Sequence, residues 1–169
     1  MRALLLGRFQ PFHRGHASVA EYALDRYGDL VVAIGSVRQS YSFVNPFTGG
    51  ERYLMTHHAL AKFSNRVAIV PVPDINRYGL YPHHVADLCP SFDVVLSNKP
   101  LIREIFTAAG YRIEDTPEYE RERYSGTVIR HKMAQGDEGW RDLVPHSVER
   151  VIDDVDGAER VRRLYAGEQ

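Results

Sequence analysis

The stretch Ala3–His16, ALLLGRFQPFHRGH, decides both the fold and the chemistry of this chain. Its first part, Ala3–Leu6, is a short continuous apolar run, which is typical of a parallel strand covered on both faces. Pro11 excludes a helix before it, and a helical pattern follows. His13 and His16 therefore fall at a strand-to-helix turn, three residues apart, where both imidazoles can point at one place.

This turn predicts a phosphate-binding site. The first backbone N–H groups of a helix lack intrahelical partners, and the helix dipole is positive at that end, so an anion is favoured there. Arg8 adds a forked set of donors that suits phosphate oxygens, and Gly15 lets a ligand approach the backbone closely. A single histidine near a helix start is more often a cap or a partly buried polar residue. The combination of two histidines, an arginine and a glycine favours the phosphate site.

The rest of the chain alternates between short apolar runs and helical patterns. Further strands are predicted at Leu30–Gly35, Val67–Val70, Val94–Ser97 and Tyr111–Glu114. Helices are predicted at His16–Tyr27, Gly50–Phe63, Leu80–Leu88 and Pro100–Ala109, from Ser125 onward, and over Pro145–Tyr165. This order is typical of a parallel sheet with right-handed crossovers and helices on both faces. We therefore expect one α/β domain over residues 1–169, with a Rossmann-like five-stranded parallel sheet and C-terminal helices that pack on the sheet or on another subunit.

Composition limits the class of protein. A chain of 169 residues with 44% hydrophobic and 25% charged residues is typical of a globular domain, and its formal charge of -1 argues against a broad basic face for nucleic acid. The single cysteine, Cys89, excludes an internal disulfide and fits a reducing compartment. No apolar run approaches the roughly 18 residues of a membrane span, and no signal-like segment precedes the first strand. We expect a cytoplasmic protein that binds neither nucleic acid nor membrane.

Two common nucleotide-binding fingerprints and a metal site are missing from the sequence. No GxGxxG follows the first strand and no GxxxxGK[ST] occurs, so phosphate binding must fall to histidines, arginines and helix ends. The pairs His57–His58 and His83–His84 could suggest a metal, but adjacent residues of a helix point about 100° apart and cannot chelate from one face. We expect these histidines to be solvated, and we predict no protein metal site.

Two later segments add polar candidates. Ser125 is a good N-cap residue, and Arg130 lies one turn after Thr127 on the same helix face, from which it can reach an anion at the helix start. The long loop Ser36–Arg52 is of a kind that is more often functional than not, and its end, Thr48-Gly-Gly-Glu, predicts a helix cap.

The strings GRFQPFHRGH at Gly7–His16 and SGTVIR at Ser125–Arg130 resemble the two signatures of the HxGH nucleotidyltransferases. The first has the form found in archaeal-type nicotinamide-nucleotide adenylyltransferases. The resemblance implies adenylyl transfer from ATP to nicotinamide mononucleotide, giving NAD and pyrophosphate without a covalent enzyme intermediate. It also implies Mg²⁺ carried by the ATP phosphates and a homo-oligomer, since archaeal relatives form hexamers.

The resemblance also implies a role for individual residues. The catalytic candidates, which would stabilise charge at the α-phosphate and the departing pyrophosphate, are His13, His16, Arg8 and Arg130. The ATP-binding candidates are Gly7, Arg8, Phe9, His13, Gly15, His16, Ser125, Gly126, Thr127 and Arg130. The mononucleotide-binding candidates are Ser36, Asp74, Tyr81, Ser97 and Asn98.

Three positions depart from the family pattern. Tyr81 stands where archaeal members carry a Trp stacked on the nicotinamide ring, and Val44 and Tyr78 stand where relatives have an Arg and an Asn. Tyr81 could instead be a half-buried core aromatic, and Asp74 could end its strand as an Asx turn. Two other functions stay open: transfer to another phosphate acceptor, such as FMN or phosphopantetheine, and a non-catalytic module that senses nucleotides.

Overall fold

One parallel sheet organises the computed structural model, which describes residues 1–169. Its strands are β1 (Arg2–Gly7), β2 (Asp29–Ile34), β3 (Val67–Pro71), β4 (Val94–Leu96) and β5 (Ile113–Glu114). Their order in the sheet is β3-β2-β1-β4-β5, and every neighbouring pair is parallel. The predicted Rossmann-like α/β fold with five parallel strands is confirmed.

Seven α-helices lie between and after the strands. They are α1 (Arg14–Tyr27), α2 (Gly49–Ala59), α3 (Tyr81–Leu88), α4 (Pro100–Ala108), α5 (Gly126–Ala134), α6 (His146–Asp154) and α7 (Gly157–Gly167). Gly28 and Gly110, just past the ends of α1 and α4, have φ of +93° and +88°. Glycine adopts this left-handed conformation without a steric penalty, which is why both helices stop there. None of the helices combines the length and the apolar character that crossing a bilayer requires.

The chain forms two compact units. The first, which contains the whole sheet, comprises Met1–Arg8, Val19–Val37 and Lys62–Pro117. The second comprises Phe9–Ser18, Arg38–Ala61 and Glu118–Gln169. Helix α1 begins in the second unit and ends in the first.

The core of the first unit lies against the sheet. On one face, Leu4, Val31 and Val95 of three neighbouring strands pack with Val85 of α3 and Phe106 of α4. Successive side chains of a strand point to opposite faces, and the alternate positions of β1, β2 and β4 are buried as well, so these three strands are covered on both sides. Because all neighbouring strands are parallel, their carboxyl ends lie at one edge of the sheet. This is the usual ligand-binding edge of such folds.

The second unit is helical. Helix α6 packs on α2, and helix α7 packs on α5. Its largest buried side chains include Trp140, Arg52, Phe12, Phe47 and Met55. Two charged groups from distant parts of the chain, Glu51 and Arg160, form an ion pair in this unit with an N–O distance of 2.7 Å.

Two helix predictions were wrong. The single helix expected over Pro145–Tyr165 is two helices, because Asp156 takes a left-handed conformation with φ of +51° and redirects the chain between α6 and α7. These helices pack on α2 and α5, whereas the sequence predicted the sheet or another subunit. The helix expected over Gly50–Phe63 ends at Ala59 and is followed by a short 3₁₀ turn.

Candidate active site

His13 and His16 face each other at the start of α1. Their rings stack with centroids 3.5 Å apart and planes inclined by 20°. The backbone N–H of His13 donates to Nδ1 of His16 at 3.1 Å, and the backbone N–H of His16 donates to Nδ1 of His13 at 3.3 Å. An Nδ1 atom that accepts a hydrogen bond carries no proton, so each neutral ring has its proton on Nε2. An Nε2–H group is a suitable donor to a phosphate oxygen.

Buried aromatic rings fix the orientation of His16. The ring of Phe9 meets it edge-on at 4.8 Å between centroids, and the ring of Phe12 lies at 5.3 Å. Phe9 has φ of +53°, a left-handed conformation that a residue with a side chain rarely adopts. Such a conformation persists only where the surrounding structure enforces it, and residues held in this way cluster at functional sites.

Burial determines the protonation state of His13. Only 7% of this residue is exposed, and the resulting desolvation lowers its pKa from 6.5 to about 4. The imidazole is therefore neutral near pH 7. His13 can offer a phosphate a hydrogen bond, but it brings no fixed charge.

Arg130 joins the second signature to the first. It lies on α5 and is 5% exposed, with Nη2 donating to Thr127 Oγ1 at 3.3 Å. Its Nη1 donates to the backbone carbonyl of Gln10 at 2.8 Å, across 120 positions of sequence. The two segments recognised in the sequence are thus in direct contact within the second unit. Ser125 occupies the N-cap position of α5, but its hydroxyl makes no capping hydrogen bond, so that detail of the prediction was wrong.

Two candidate glycines, Gly126 and Gly15, lie where neighbouring protein atoms leave no room for a side chain. A Cβ on Gly126 would lie 2.9 Å from Arg130 Nη1 and 3.2 Å from the Gln10 carbonyl oxygen. A Cβ on Gly15 would lie 3.0 Å from the His13 ring and 3.0 Å from Tyr124 Cβ. The sequence explained Gly15 by the approach of a ligand, whereas the structure explains it by the close packing of protein atoms.

Sequence reasoning missed the side chain of Gln10. Its Nε2 donates to the carbonyl of Phe47 at 3.0 Å, and its Oε1 accepts from the N–H of Phe47 at the same distance. The residue is 4% exposed. The available signal was a single amide placed between Phe9 and Pro11 in a turn made otherwise of apolar residues, because a buried amide requires partners.

The predicted cap at Thr48 is confirmed. Thr48 Oγ1 accepts from the N–H of Glu51 at 3.1 Å, and the Glu51 carboxylate accepts from the N–H of Thr48 at 2.9 Å, which forms a capping box. Sequence reasoning missed the other partner of this carboxylate, Arg160, which donates to both oxygens at 2.7 and 2.9 Å. Burial alone would raise the pKa of Glu51, but the hydrogen bonds from Arg160 and Thr48 outweigh it and lower the pKa.

Arg52, the last residue of the long loop predicted from the sequence, lies in α2 and is completely buried. Its Nε donates to the carbonyl of Thr48 at 3.2 Å, and its Nη2 donates to the carbonyl of Gln39 at 3.3 Å. These contacts hold the loop before α2 against the helix.

The remaining candidates belong to the first unit and follow the carboxyl ends of its strands. They are Gly7 and Arg8 after β1, Ser36 after β2, Asp74 after β3, Tyr81 at the start of α3, and Ser97 and Asn98 after β4. The N–H of Gly35 donates to the carbonyl of Gly7 at 2.8 Å, so the ends of β1 and β2 are adjacent. Arg8 is exposed at this edge.

The Asn98 and Ser97 side chains are engaged with the backbone. Asn98 donates to the Thr116 carbonyl and accepts from the Thr116 N–H, both at 2.8 Å. Ser97 Oγ accepts from the N–H of Lys99 at 3.1 Å. Both side chains therefore shape the loop after β4, in addition to any contact with a ligand.

Tyr81 and His84 lie close together on α3. The Tyr81 ring is half-buried. Burial, and to a lesser extent the charges of Asp74 and Cys89, raise the pKa of its hydroxyl to about 12, so the hydroxyl stays protonated. Its centroid is 6.2 Å from that of His84. Nε2 of His84 donates to the carbonyl of Pro73 at 2.9 Å, so the expectation that His84 is simply solvated was wrong. No group of three or more His, Cys, Asp or Glu residues is arranged to hold a metal ion.

Comparison with known proteins identifies relatives along almost the whole chain. Residues 4–132 match the sequence model of the cytidylyltransferase-like family. The nicotinamide-nucleotide adenylyltransferase of Methanosarcina acetivorans is 44% identical over 168 residues, which cover 99% of this chain and 96% of that protein. The enzyme of the same name from Archaeoglobus fulgidus is 42% identical over 170 residues, covering 97% of each protein.

Solved structures show the same fold. A bifunctional NMN adenylyltransferase/ADP ribose pyrophosphatase from Francisella tularensis superposes with a TM-score of 0.75 at 18% identity. A second structure of that name and source, complexed with AMP and a manganese ion, gives 0.74 at 19% identity. Each match covers 98% of this chain and 52% of the solved chain, so this chain spans about half of their length.

Proposed function

Because the chain belongs to the cytidylyltransferase-like family, and within it to the nicotinamide-nucleotide adenylyltransferases, we propose that it converts ATP and nicotinamide mononucleotide into NAD and pyrophosphate. The observation in the structure that supports this most is the hydrogen bond from Arg130 to the Gln10 carbonyl. It brings the two segments that carry the family signatures into contact, as a shared triphosphate site requires.

The reaction needs alignment more than acid–base chemistry. A phosphate oxygen of the mononucleotide, already anionic near neutral pH, attacks the α-phosphorus of ATP. The bond from that phosphorus to the bridging oxygen breaks, and pyrophosphate leaves with the electron pair. Catalysis then depends on holding both phosphates in line and on stabilising the charge that develops on the leaving group. No covalent enzyme intermediate is required.

The second unit supplies the proposed triphosphate contacts. His13 and His16 donate hydrogen bonds through Nε2, which their mutual Nδ1 contacts leave protonated in the neutral rings. Arg130 supplies a permanent positive charge, and the N-terminus of α5 at Ser125, Gly126 and Thr127 favours an anion. Phe9 orients His16. In the first unit, we propose a phosphate contact for Arg8 and a close backbone approach at Gly7.

We assign the mononucleotide to the carboxyl edge of the sheet. The half-buried Tyr81 offers an aromatic face to a cationic pyridinium ring. Asp74 and Ser36 provide polar groups for the ribose or the amide. Ser97 and Asn98 form the loop after β4, whose backbone and side-chain polar groups we assign to contacts with the mononucleotide.

Mg²⁺ belongs in this proposal to the ATP substrate. The protein arranges no cluster of three His, Cys, Asp or Glu residues around a common point, so it fits a metal that arrives on the phosphates. The neighbour that contains AMP also contains a manganese ion, which is consistent with a divalent cation at such a nucleotide. A homo-oligomer, a single functional domain and a cytoplasmic location stay predictions.

The test is chromatography of purified protein incubated with ATP, Mg²⁺ and one phosphate acceptor at a time. We expect NAD and pyrophosphate in equal amounts with nicotinamide mononucleotide. A product with FMN or phosphopantetheine instead would favour the first alternative, and ATP binding without pyrophosphate release would favour a sensing module.

A pair of histidine variants assigns that activity to the site. His16→Ala should lower turnover by about 10²–10³, the scale of one lost charge-stabilising donor, while the protein stays folded. His58→Ala, an exchange at an exposed position of α2, is the matched control and should keep normal turnover. Normal turnover in folded His16→Ala would reject the assignment.

A further inference from the structure

Gln10 connects three parts of the second unit: the turn before α1, in which it lies, the segment before α2, and helix α5. Its side-chain amide makes two hydrogen bonds, both at 3.0 Å, with the backbone of Phe47. Its own carbonyl accepts from Arg130 at 2.8 Å. The residue is 4% exposed, and three positions later the chain reaches His13.

The partner of this amide is rigidly held. Phe47 is fully buried, and its ring fits so closely on α7 that a Cβ on Gly157 would lie 2.7 Å from ring atom Cε1. On one side, the Pro46 carbonyl accepts from Arg160 at 3.2 Å. On the other side, Thr48 begins the capping box of α2. The backbone of Phe47 is therefore a fixed reference for whatever binds to it.

Two hydrogen bonds to one residue define both the position and the direction of an amide. A carboxamide that donates to a carbonyl and accepts from the N–H of the same residue cannot rotate without breaking both contacts. The backbone of Gln10 is restrained through this amide, and with it the carbonyl that Arg130 uses. Since Nη2 of Arg130 contacts Thr127, the two contacts together set the plane of the guanidinium.

We propose that Gln10 is a positioning residue for adenylyl transfer. Its amide fastens the turn between β1 and α1 to Phe47 and so holds the Arg130 guanidinium in the orientation that the transition state requires. Gln10 does not touch the phosphates, and its effect passes through Arg130. The inference rests on the proposed function, because the reaction is its readout.

Removal of the amide should reduce turnover without removing a substrate contact. Gln10→Met keeps nearly the same length and lacks both hydrogen bonds. A displacement of about 1 Å in a catalytic group can cost on the order of 10²-fold in rate, so we expect kcat to fall between about tenfold and a hundredfold. KM for nicotinamide mononucleotide should change by less than about threefold, because uniform substrate binding is not affected. Gln10→Glu keeps the acceptor for the Phe47 N–H but places a carboxylate oxygen against the Phe47 carbonyl in a buried position, so kcat should fall at least as far as in Gln10→Met.

Two control variants separate positioning from loss of stability. Val148→Ala removes buried volume from α6 in the same unit and should lower the melting temperature with kcat unchanged. Gln135→Met repeats the chemical exchange at an exposed position and should change neither quantity.

A double-mutant cycle with Arg130→Ala is the decisive measurement. If Gln10 acts through Arg130, Gln10→Met changes kcat by less than about twofold once the guanidinium is gone. Equal rate losses in both backgrounds would overturn the proposal, as would a wild-type kcat in Gln10→Met. The wild-type reaction tests the proposed function separately: no NAD from wild type rejects the function, whereas NAD with an unaffected Gln10→Met rejects only the positioning role.

Discussion

The burial of His13 makes the stability of this protein depend on pH. In an unfolded chain a histidine has a pKa of 6.5, and in the folded protein desolvation lowers that of His13 to about 4. Between these two values the unfolded state binds more protons than the folded state, so the free energy of unfolding must rise with pH. Above about pH 6.5 His13 is neutral in both states and leaves the free energy of unfolding independent of pH. As the pH falls from 6.5 toward 4, protonation of His13 in the unfolded chain lowers the free energy of unfolding.

The size of the effect follows from the two pKa values. Their difference corresponds to about 3 kcal/mol in the free energy of unfolding. This is a large share of the 5–15 kcal/mol that holds a typical domain together. We therefore expect the His13 imidazole alone to make the protein clearly less stable at about pH 4.5 than at about pH 7.5.

The assay is urea unfolding over this pH range for wild type and His13→Gln. The amide of Gln does not titrate, so the difference between the two proteins isolates His13. We expect this difference to shift by about 3 kcal/mol in favour of the variant as the pH falls through the window. Imidazole NMR signals, assigned by their loss in His13→Gln, should titrate with a midpoint near 4 in the wild type. A midpoint near 6.5, or a difference that does not depend on pH, would show that His13 is not desolvated in the folded protein.

Three further predictions concern the scaffold and the mononucleotide. Arg160→Met should lower the free energy of unfolding by about 2 kcal/mol in urea titrations, because it leaves the Glu51 carboxylate partly buried without its guanidinium. The loss should shrink as the pH falls from the ordinary pKa of Glu51 through the lower pKa that it has in the folded protein, where protonation breaks the pair in wild type as well. Gly157→Ala should lower it by about 1–3 kcal/mol because its Cβ would meet Phe47 at 2.7 Å, and a stability at or above wild type would contradict this packing. Tyr81→Leu should raise KM for nicotinamide mononucleotide several-fold and leave KM for ATP unchanged in steady-state kinetics, whereas equal changes in both would argue against ring stacking.

The sequence predicted the parts of the fold that depend on local signals. Apolar runs such as Ala3–Leu6 mark buried strands because both faces of the sheet are covered. Gly28 and Gly110 mark helix ends because they adopt positive φ. The break between α6 and α7 lies at Asp156-Gly157, an Asp-Gly pair of the kind that marks turns, but the apolar stripe continues past it and the sequence prediction extended one helix across it.

The sequence motifs were enough to predict which residues belong to the candidate site. They did not predict the roles that depend on contacts made in the folded protein. His13, His16 and Arg130 could be selected from two segments of sequence, but the neutral state of His13 is a consequence of burial, which only the fold determines. The amide of Gln10 binds a backbone 37 positions away. Asn98 illustrates the same limit, since its amide pairs with the backbone of Thr116 after an intervening helix.

In the proposed function, two segments more than a hundred residues apart act on one triphosphate. The most direct test is kcat/KM for ATP in NAD formation by Arg130→Ala, with circular dichroism and the melting temperature as checks on folding. We expect kcat/KM to fall by about 10²–10³ and to be partly restored by millimolar guanidinium ion that replaces the missing group. A folded Arg130→Ala protein with the kcat/KM of wild type would contradict it.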